Sequence, residues 1–424
     1  TLGYCTARNG VMDTEKNFFG RQDTLSLLKK RVMDLKDGYR QNMAFVGPRY
    51  VGKTSILQKF IADLDDKDLI TVYINFERKD FHYFFVNFIG TILYNFAKNQ
   101  GLEPHQDISL LLESLKARLP QTVAAVKHVQ GFVEKKRMAE AFQGLITLLE
   151  TFSLESNKFC IVIFDEFHHL EDFNIPEAFQ ELGKRIMTQK RCLYLMASSL
   201  HQVARKILSE KLFLLFGHFE IIEIEPFTLK TSQDFISHSL KAVQIKDQLK
   251  NFLVDFTGGH PFYLNILTEE LTQLCRIHQQ AEIFLPLLSQ AIENTIFNRW
   301  GILSRHFEIL TEGLAWPKDA QGTSRLLIAL AEQKNNIEDI VPLTELKKIA
   351  IKQRIAKLVE LGLVDRNGNS YYLKDKLFRY WIKYVLKRRL HLIGLDLRDE
   401  KVKFREELAQ AITSFQNACQ KNLS

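Results

Sequence analysis

The chain has 424 residues, 46% of them hydrophobic and 25% charged, a balance ordinary for a soluble globular protein of two or three domains and foreign to a disordered or fibrous one. No apolar run reaches the length of a membrane span and no secretory pattern opens the chain, so no contact with a membrane is expected. The formal net charge of +7 permits an acidic partner such as nucleic acid without requiring one.

Residues 1–16 read as an N-terminal extension, and the start at Thr1 leaves the true N-terminus open. From residue 17 to about 229 strand and helix signals alternate, the signature of an α/β fold with a parallel sheet. Met43-Ala44-Phe45-Val46 reads as a short buried strand, and it runs into Gly47-Pro48-Arg49-Tyr50-Val51-Gly52-Lys53-Thr54. This segment matches the phosphate-binding loop G-x-x-x-x-G-K-[ST]. Ile56, Leu57, Phe60, Ile61 and Leu64 then recur with helical period, so the loop stands between a strand and a helix as the motif requires. In such a loop successive N–H groups turn inward and hold the β- and γ-phosphates of a nucleoside triphosphate on a helix N-terminus. Lys53 is expected to reach the β/γ oxygens and the Thr54 hydroxyl to ligate Mg²⁺, with Ser55 closing the nucleotide-binding segment.

Leu69 to Phe76 gives a second strand, and 80–158 a long helical insertion. Its phenylalanines, among them Phe81, Phe84, Phe85 and Phe88, are expected in a layer packed on the sheet rather than in a ligand platform. Phe159-Cys160-Ile161-Val162-Ile163-Phe164 is an apolar run ending in Asp165-Glu166, the form of a Walker B strand. A strand of this kind is covered on both faces, and ligands collect at its carboxyl end. Asp165 is expected to hold Mg²⁺ through water and Glu166 to orient and polarise the attacking water. His168 and His169 follow directly; adjacent side chains rarely converge on one ion, so they read as loop or helix-start residues. Leu193 to Ser199 and Ile221 to Ile224 complete five strands.

Helices dominate from 230 to 320, a stretch broken at Thr257-Gly258-Gly259-His260-Pro261, where Gly-Gly ends one helix and Pro opens the next. Over 321–385 the chain changes character. Leu326, Leu327 and Leu330 form one apolar face, Leu343-Thr344-Glu345-Leu346 begins a short second helix, and Ile351, Ile355, Leu358 and Val359 form a third. Gly362 to Leu373 then reads as strand, Asn-Gly turn and strand. Three helices and a hairpin give a C-terminal winged helix-turn-helix. Its third helix carries Lys352, Arg354 and Lys357 off the apolar seam, with Lys347 and Lys348 just before, so contact with double-stranded DNA and protein docking carry equal weight. Residues 386–424 read as a polar, amphipathic helical tail. Cys5, Cys160, Cys192, Cys275 and Cys419 are widely scattered. They suggest neither a disulfide framework nor a zinc site and fit a reducing, cytoplasmic setting.

The sequence resembles the archaeal-type ATPases at the border of the STAND and AAA+ P-loop NTPases. The resemblance rests on Phe18-Phe19-Gly20-Arg21, the phosphate loop, Phe164-Asp165-Glu166-Phe167, Ser198-Ser199, Glu225-Pro226-Phe227 and Gly258-Gly259-His260-Pro261-Phe262-Tyr263-Leu264. It implies ATP as the nucleotide, a five-stranded sheet in the order 5-1-4-3-2, a helical lid over 230–320 and the winged helix. By likeness Ser198 or Ser199 is sensor 1, the segment around His260 and Pro261 lies near the adenine, and Phe19, Gly20 and Arg21 flank the base from the other side. Catalysis would fall to Lys53, Glu166 and the sensor serine. One departure matters: relatives commonly carry an arginine just before the fifth strand, where this chain reads Phe216-Gly217-His218-Phe219. Slow hydrolysis is therefore expected, or a finger supplied by Arg205, Arg185 or another subunit or partner, since such an arginine carries orders of magnitude in turnover. The resemblance implies an ATP-driven switch acting on DNA or on a protein partner. The alternative is a nucleotide-dependent scaffold with little or no intrinsic hydrolysis. Oligomeric state is left open between monomer, ring and filament.

Overall fold

A computed structural model describes residues 18–77, 80–212, 219–314, 319–390 and 398–421. The chain divides into two compact units, Thr1–Glu225 and Pro226–Ser424. Among the described residues no helix is long and apolar enough to cross a membrane.

The first unit is a parallel sheet between helical layers. Helix α1 (Gln22–Lys36) precedes β1 (Asn42–Val46), α2 (Lys53–Ala62) and β2 (Leu69–Asn75). The insertion supplies α3 (Phe81–Asn99), α4 (Ile108–Leu115), α5 (Pro120–Glu134) and α6 (Met138–Ser156), and the sheet resumes with β3 (Phe159–Asp165). A 3₁₀ turn (Phe167–Phe173), α7 (Ala178–Thr188), β4 (Cys192–Ser198), α8 (His201–Lys206) and β5 (Phe219–Glu223) complete it. The strands lie in the order β2-β3-β4-β1-β5, which is the expected 5-1-4-3-2 taken from the opposite edge, and every pairing is parallel.

Alternation along the strands divides the apolar residues between two layers. Met43 and Phe45 of β1 join Ile161 and Ile163 of β3 in a core with Leu28, Ile56, Leu57 and Phe60 of α1 and α2. Ala44 and Val46 face the other way, with Val162, Phe164 and Met196, into a core closed by Phe84, Phe88, Phe142 and Phe152 of the insertion. Both faces being covered, β1 and β4 are buried along their whole length, which is why they read as unbroken apolar runs. The insertion's aromatic rings pack on the end of β2 and on one another, Phe84 to Phe76 at 5.2 Å and Phe84 to Phe88 at 5.5 Å between centroids. Local signals set the helix ends: Asp80 caps α3 by accepting from His82 N, and Asn157 ends α6 in a left-handed conformation at φ 55°.

The second unit is mainly helical. It runs α9 (Leu229–Ser239), α10 (Asp247–Thr257), α11 (Pro261–Ile277), α12 (Leu285–Phe297) and α13 (Ile302–Gly313). Within it β6 (Gln244–Ile245) pairs with β7 (Glu282–Ile283) in parallel, where the sequence showed no strand; two residues are too short to carry a periodicity. Next come α14 (Ala320–Ala331), α15 (Ile337–Thr344) and α16 (Lys348–Glu360), followed by the antiparallel hairpin β8 (Val364–Asn367) and β9 (Ser370–Leu373). The closing pair is Asn367 and Ser370, so Gly368 and Asn369 form the turn. It sits one residue later than the expected Asn-Gly because Gly368, at φ 60°, takes the first central position of a tight turn. Helices α17 (Lys376–Trp381), α18 (Lys387–Leu390) and α19 (Arg398–Lys421) end the unit. The tail is more than a solvated helix: Phe404, Leu408 and Ile412 of α19 are buried, and Arg405 is paired with Glu293 of α12.

Candidate functional site

Strand register brings the polar residues of the first unit to one edge of its sheet. Val46 is paired with Ser198 and Asn75 with Asp165, so β1, β2, β3 and β4 end together at their carboxyl side, where open parallel sheets bind ligands.

The phosphate loop leaves β1 at this edge. Gly47 has to be glycine, because a Cβ there would meet the Ile224 carbonyl oxygen at 2.2 Å. Gly52 turns the chain into α2 at φ 106°. Pro48, Arg49, Tyr50 and Ser55 are exposed and Val51 is buried. Lys53 is only 4% exposed, and its ammonium donates to the carbonyls of Gly47 at 2.9 Å and Pro48 at 2.8 Å. Burial pushes its pKa below the ordinary lysine value, opposed by the charges of Glu166 and Asp165.

Across from the loop, the Asp165 carboxylate accepts from Thr54 Oγ1 and from Tyr73 OH, both at 2.7 Å on Oδ2. Glu166 N donates to Asp165 Oδ1 at 3.1 Å. Glu166 itself is left-handed at φ 51°. Its Oε2 accepts from Ser199 N at 2.8 Å and from Ser199 Oγ at 2.9 Å. Burial pushes the Glu166 carboxyl up, Lys53 and the Ser199 N–H oppose the shift, and Asp165 adds to it. Ser198 Oγ accepts from Leu200 N at 3.1 Å and lies 2.9 Å from His168 Nδ1. The same hydroxyl lies 3.5 Å from the Leu200 carbonyl, and His168 Nδ1 lies 3.5 Å from Glu166 Oε2. Burial, then the neighbouring His169, lowers the His168 pKa to about 3, so the ring is neutral.

Among the described residues no cluster of three or more His, Cys, Asp and Glu side chains could hold a metal ion. The Thr54 and Asp165 oxygens do form a pair of hard donors, suited to a small cation that takes its other ligands from phosphate and water.

The remaining candidates are placed as follows. Phe19 and Gly20 are half-buried. Arg21 Nη2 donates to Glu225 O at 2.5 Å and Val51 O at 3.4 Å, which brings it to the phosphate loop. His260 and Pro261 belong to the second unit, where Pro261 is the first residue of α11 and the His260 ring lies 4.6 Å from Tyr263. Arg185 donates to Glu181 Oε1 at 2.9 Å, and Arg205 is paired with Glu223. Residues 216–218, where an arginine was missed, lie outside the described residues.

Lys347, just before α16, and Lys348, Lys352 and Lys357 on it are exposed. Lys348 is paired with Glu338, and Lys357 with Glu360 at 3.1 Å. Arg354 requires a correction: it lies on the apolar seam, not off it. It is 5% exposed and donates to Asp319 Oδ2 at 2.9 Å and Thr323 Oγ1 at 3.2 Å. Helical period puts it there, three residues after Ile351 and four before Leu358, both buried.

Neither Tyr73 nor His168 carries a local signal of these contacts: Tyr73 pairs with Ile163 in the sheet, two residues before Asp165, and Ser198 lies thirty residues from His168.

Comparison with known proteins bears on the fold and the family. An uncharacterised ATP-binding protein of Methanocaldococcus jannaschii is 22% identical over 281 residues, 61% of this chain and 71% of that protein. The Walker-type ATPase PABY2304 of Pyrococcus abyssi shares the fold with a TM-score of 0.61 at 16% identity, over 87% of this chain and 97% of its own. The Aeropyrum pernix ORC2 protein, solved in ADPNP and ADP complexes, follows with 0.55 at 14% identity, over 89% and 98%. Residues 18–267, more than half of the chain, match the family described as an ATPase domain predominantly from Archaea, and the chain belongs to that family.

Proposed function

We propose that the chain is an ATP-hydrolysing switch of the AAA+/STAND class that couples its nucleotide state to a partner through residues 321–385, acting as a winged helix. The observation that carries this reading is the 2.7 Å bond between Thr54 Oγ1 and Asp165 Oδ2. It joins the phosphate loop to the acid-bearing strand end, the two halves a phosphoryl-transfer site needs.

In this reading Gly47 to Ser55 cradle the triphosphate, and Phe19, Gly20 and Arg21 flank the base. Thr54 and Asp165 hold Mg²⁺, which when bound offsets the phosphate charge. Glu166 orients the water and takes its proton; its raised pKa makes it a stronger base than an ordinary carboxylate. Both bonds from Ser199 fall on Glu166 Oε2, which fixes the carboxylate and leaves Oε1 to meet the water. Ser199, bonded to Glu166, suits a sensor better than Ser198, whose hydroxyl is engaged by His168.

Two partners fit the second unit. Lys347, Lys348, Lys352 and Lys357 support duplex DNA on α16. A specific observation favours a protein as the second reading: Ile349, on the same exposed face, is 72% exposed, and Leu343 on α15 is exposed beside the same turn. Intact Lys53, Thr54, Asp165 and Glu166 support hydrolysis over a scaffold without turnover.

The test is steady-state ATP hydrolysis with and without duplex DNA, with Glu166→Gln as the blank. Turnover above the blank is expected, and stimulation by DNA makes α16 its sensor. Turnover no higher than the blank, with ATP still bound, would leave only the scaffold.

A further inference from the structure

The third residue of the phosphate loop is a position the motif leaves to any side chain, and here it is Arg49. Its neighbour Tyr50 is left-handed at φ 59°, a conformation that bulky residues rarely adopt. The Tyr50 ring lies 5.7 Å from the Arg49 guanidinium carbon, within cation–π range. From there Arg49 Nη2 donates to Glu77 Oε1 at 2.9 Å. Glu77 stands in a turn just beyond β2, fixed by its N–H donating to Asn75 Oδ1 at 2.8 Å, and Asn75 is the register partner of Asp165. The guanidinium is thus held between the phosphate loop and the strand edge that carries the acidic pair. Both side chains of the Arg49–Glu77 pair are nearly half exposed, and pairs of that kind hold by only about 0–1 kcal/mol. A phosphoryl group can therefore take the arginine from its carboxylate.

We propose that Arg49 is the catalytic arginine of this chain's own hydrolysis, supplied from within the phosphate loop and exchanging Glu77 for the γ-phosphoryl oxygens. The inference rests on the hydrolytic reading above. The water oxygen bonds to the γ-phosphorus while the bond to the β–γ bridging oxygen breaks. That bond's electron pair stays on ADP, and the water's proton passes through Glu166 to solvent. Arg49 transfers nothing; its fork of N–H donors balances the charge that gathers on the equatorial and leaving oxygens. This supplies the arginine missing from Phe216-Gly217-His218-Phe219 without a second subunit.

The experiment compares the full chain with Arg49→Ala, Arg49→Lys and Glu77→Gln. Three quantities are read: turnover, affinity for ADP, and affinity for ADP with aluminium fluoride, a mimic of the transferring phosphoryl group. Arg49→Ala is expected to keep its ADP affinity while losing on the order of 10³ in turnover and a matching factor in aluminium fluoride affinity. Lysine recovers only part, lacking the fork, and Glu77→Gln turns over at least as fast as wild type. Equal losses for ADP and for its aluminium fluoride complex would make Arg49 a ground-state contact and overturn the proposal. So would a Glu77→Gln loss as large as that of Arg49→Ala, because the pair would then only shape the loop. If wild type turns over and Arg49→Ala matches it, this inference alone falls. If wild type turns over no faster than Glu166→Gln, the hydrolytic reading falls and takes this one with it.

Discussion

Lys53→Met is expected to make the nucleotide-free protein more stable while abolishing its response to ATP. Burial costs the charged form of Lys53 more than Glu166 and Asp165 return, which is what its lowered pKa records. Replacing a whole buried ion pair by apolar chains is neutral or stabilises by about 1–4 kcal/mol, whereas removing one partner of a pair in contact costs about 3–5 kcal/mol. Lys53 donates to two carbonyls and to neither carboxylate, and its lowered pKa already includes the attraction of Glu166 and Asp165, so what stands against the gain is the loss of those two bonds, about 1–2 kcal/mol. The net gain is about 1 kcal/mol, a rise in Tm of about 2–4 °C for a unit of this size. The pH dependence has a definite sign. With the folded pKa depressed, the stability is complete above the ordinary lysine value of 10.5 and is lost as pH falls through the folded value. The gap between variant and wild type is therefore widest near neutral pH and narrows in alkaline buffer. Thermal unfolding with and without Mg²⁺-ATP reads the rest. At a hundredfold excess over Kd, ATP adds about 2.7 kcal/mol to wild type and nothing to the variant, so the order of the two melting points reverses. A nucleotide-free variant that melts below wild type would refute the argument, because the buried ammonium would then be a net source of stability.

Two further substitutions probe the surroundings. Gly47→Ala drives a Cβ to 2.2 Å from the Ile224 carbonyl; a loss of about 1–3 kcal/mol in denaturant unfolding is expected, together with weakened ATP binding measured by titration. Arg354→Ala removes the bonds to Asp319 and Thr323 and should cost about 1–2 kcal/mol, whereas Lys352→Ala stays within about 0.5 kcal/mol. If chemical denaturation shows the two variants equally stable, the buried placement of Arg354 is wrong.

What was legible in the sequence was contiguous. The phosphate loop, the acidic pair and the apolar strands each lie within a few consecutive residues, and β1 or β4, covered on both faces, announces itself by having no polar side. What stayed hidden depends on partners distant in sequence. Tyr73 meets Asp165 across 92 positions and Arg405 meets Glu293 across 112; no local pattern contains both members. Arg354 shows a different failure. Its period placed it on the seam, yet its charge argued for the surface, and it is partners distant in sequence, Asp319 35 residues and Thr323 31 residues earlier, that make a buried arginine tolerable. The stripe of Phe404, Leu408 and Ile412 was readable as amphipathic, but the helix it docks against was not.

The sheet edge that carries the candidate site is also where the first unit accepts its least favourable local choices. Tyr50 and Glu166 are both left-handed, which costs a non-glycine residue about 1–2 kcal/mol each, and Lys53, Asp165, Glu166, His168 and Ser198 are all buried polar groups at that edge. Other left-handed residues have structural reasons, as Asn157 does at the end of α6. A chain selected for stability alone would shed such a concentration of strain and buried charge, which is an argument for function at this edge that is independent of any motif. The same groups are already partnered: Lys53 holds loop carbonyls, Glu166 holds Ser199 and Arg49 holds Glu77. The ammonium keeps a third N–H and Glu166 its Oε1 for a phosphate or a water, so of the three only the Arg49–Glu77 bond has to be exchanged for its owner to reach a phosphoryl group.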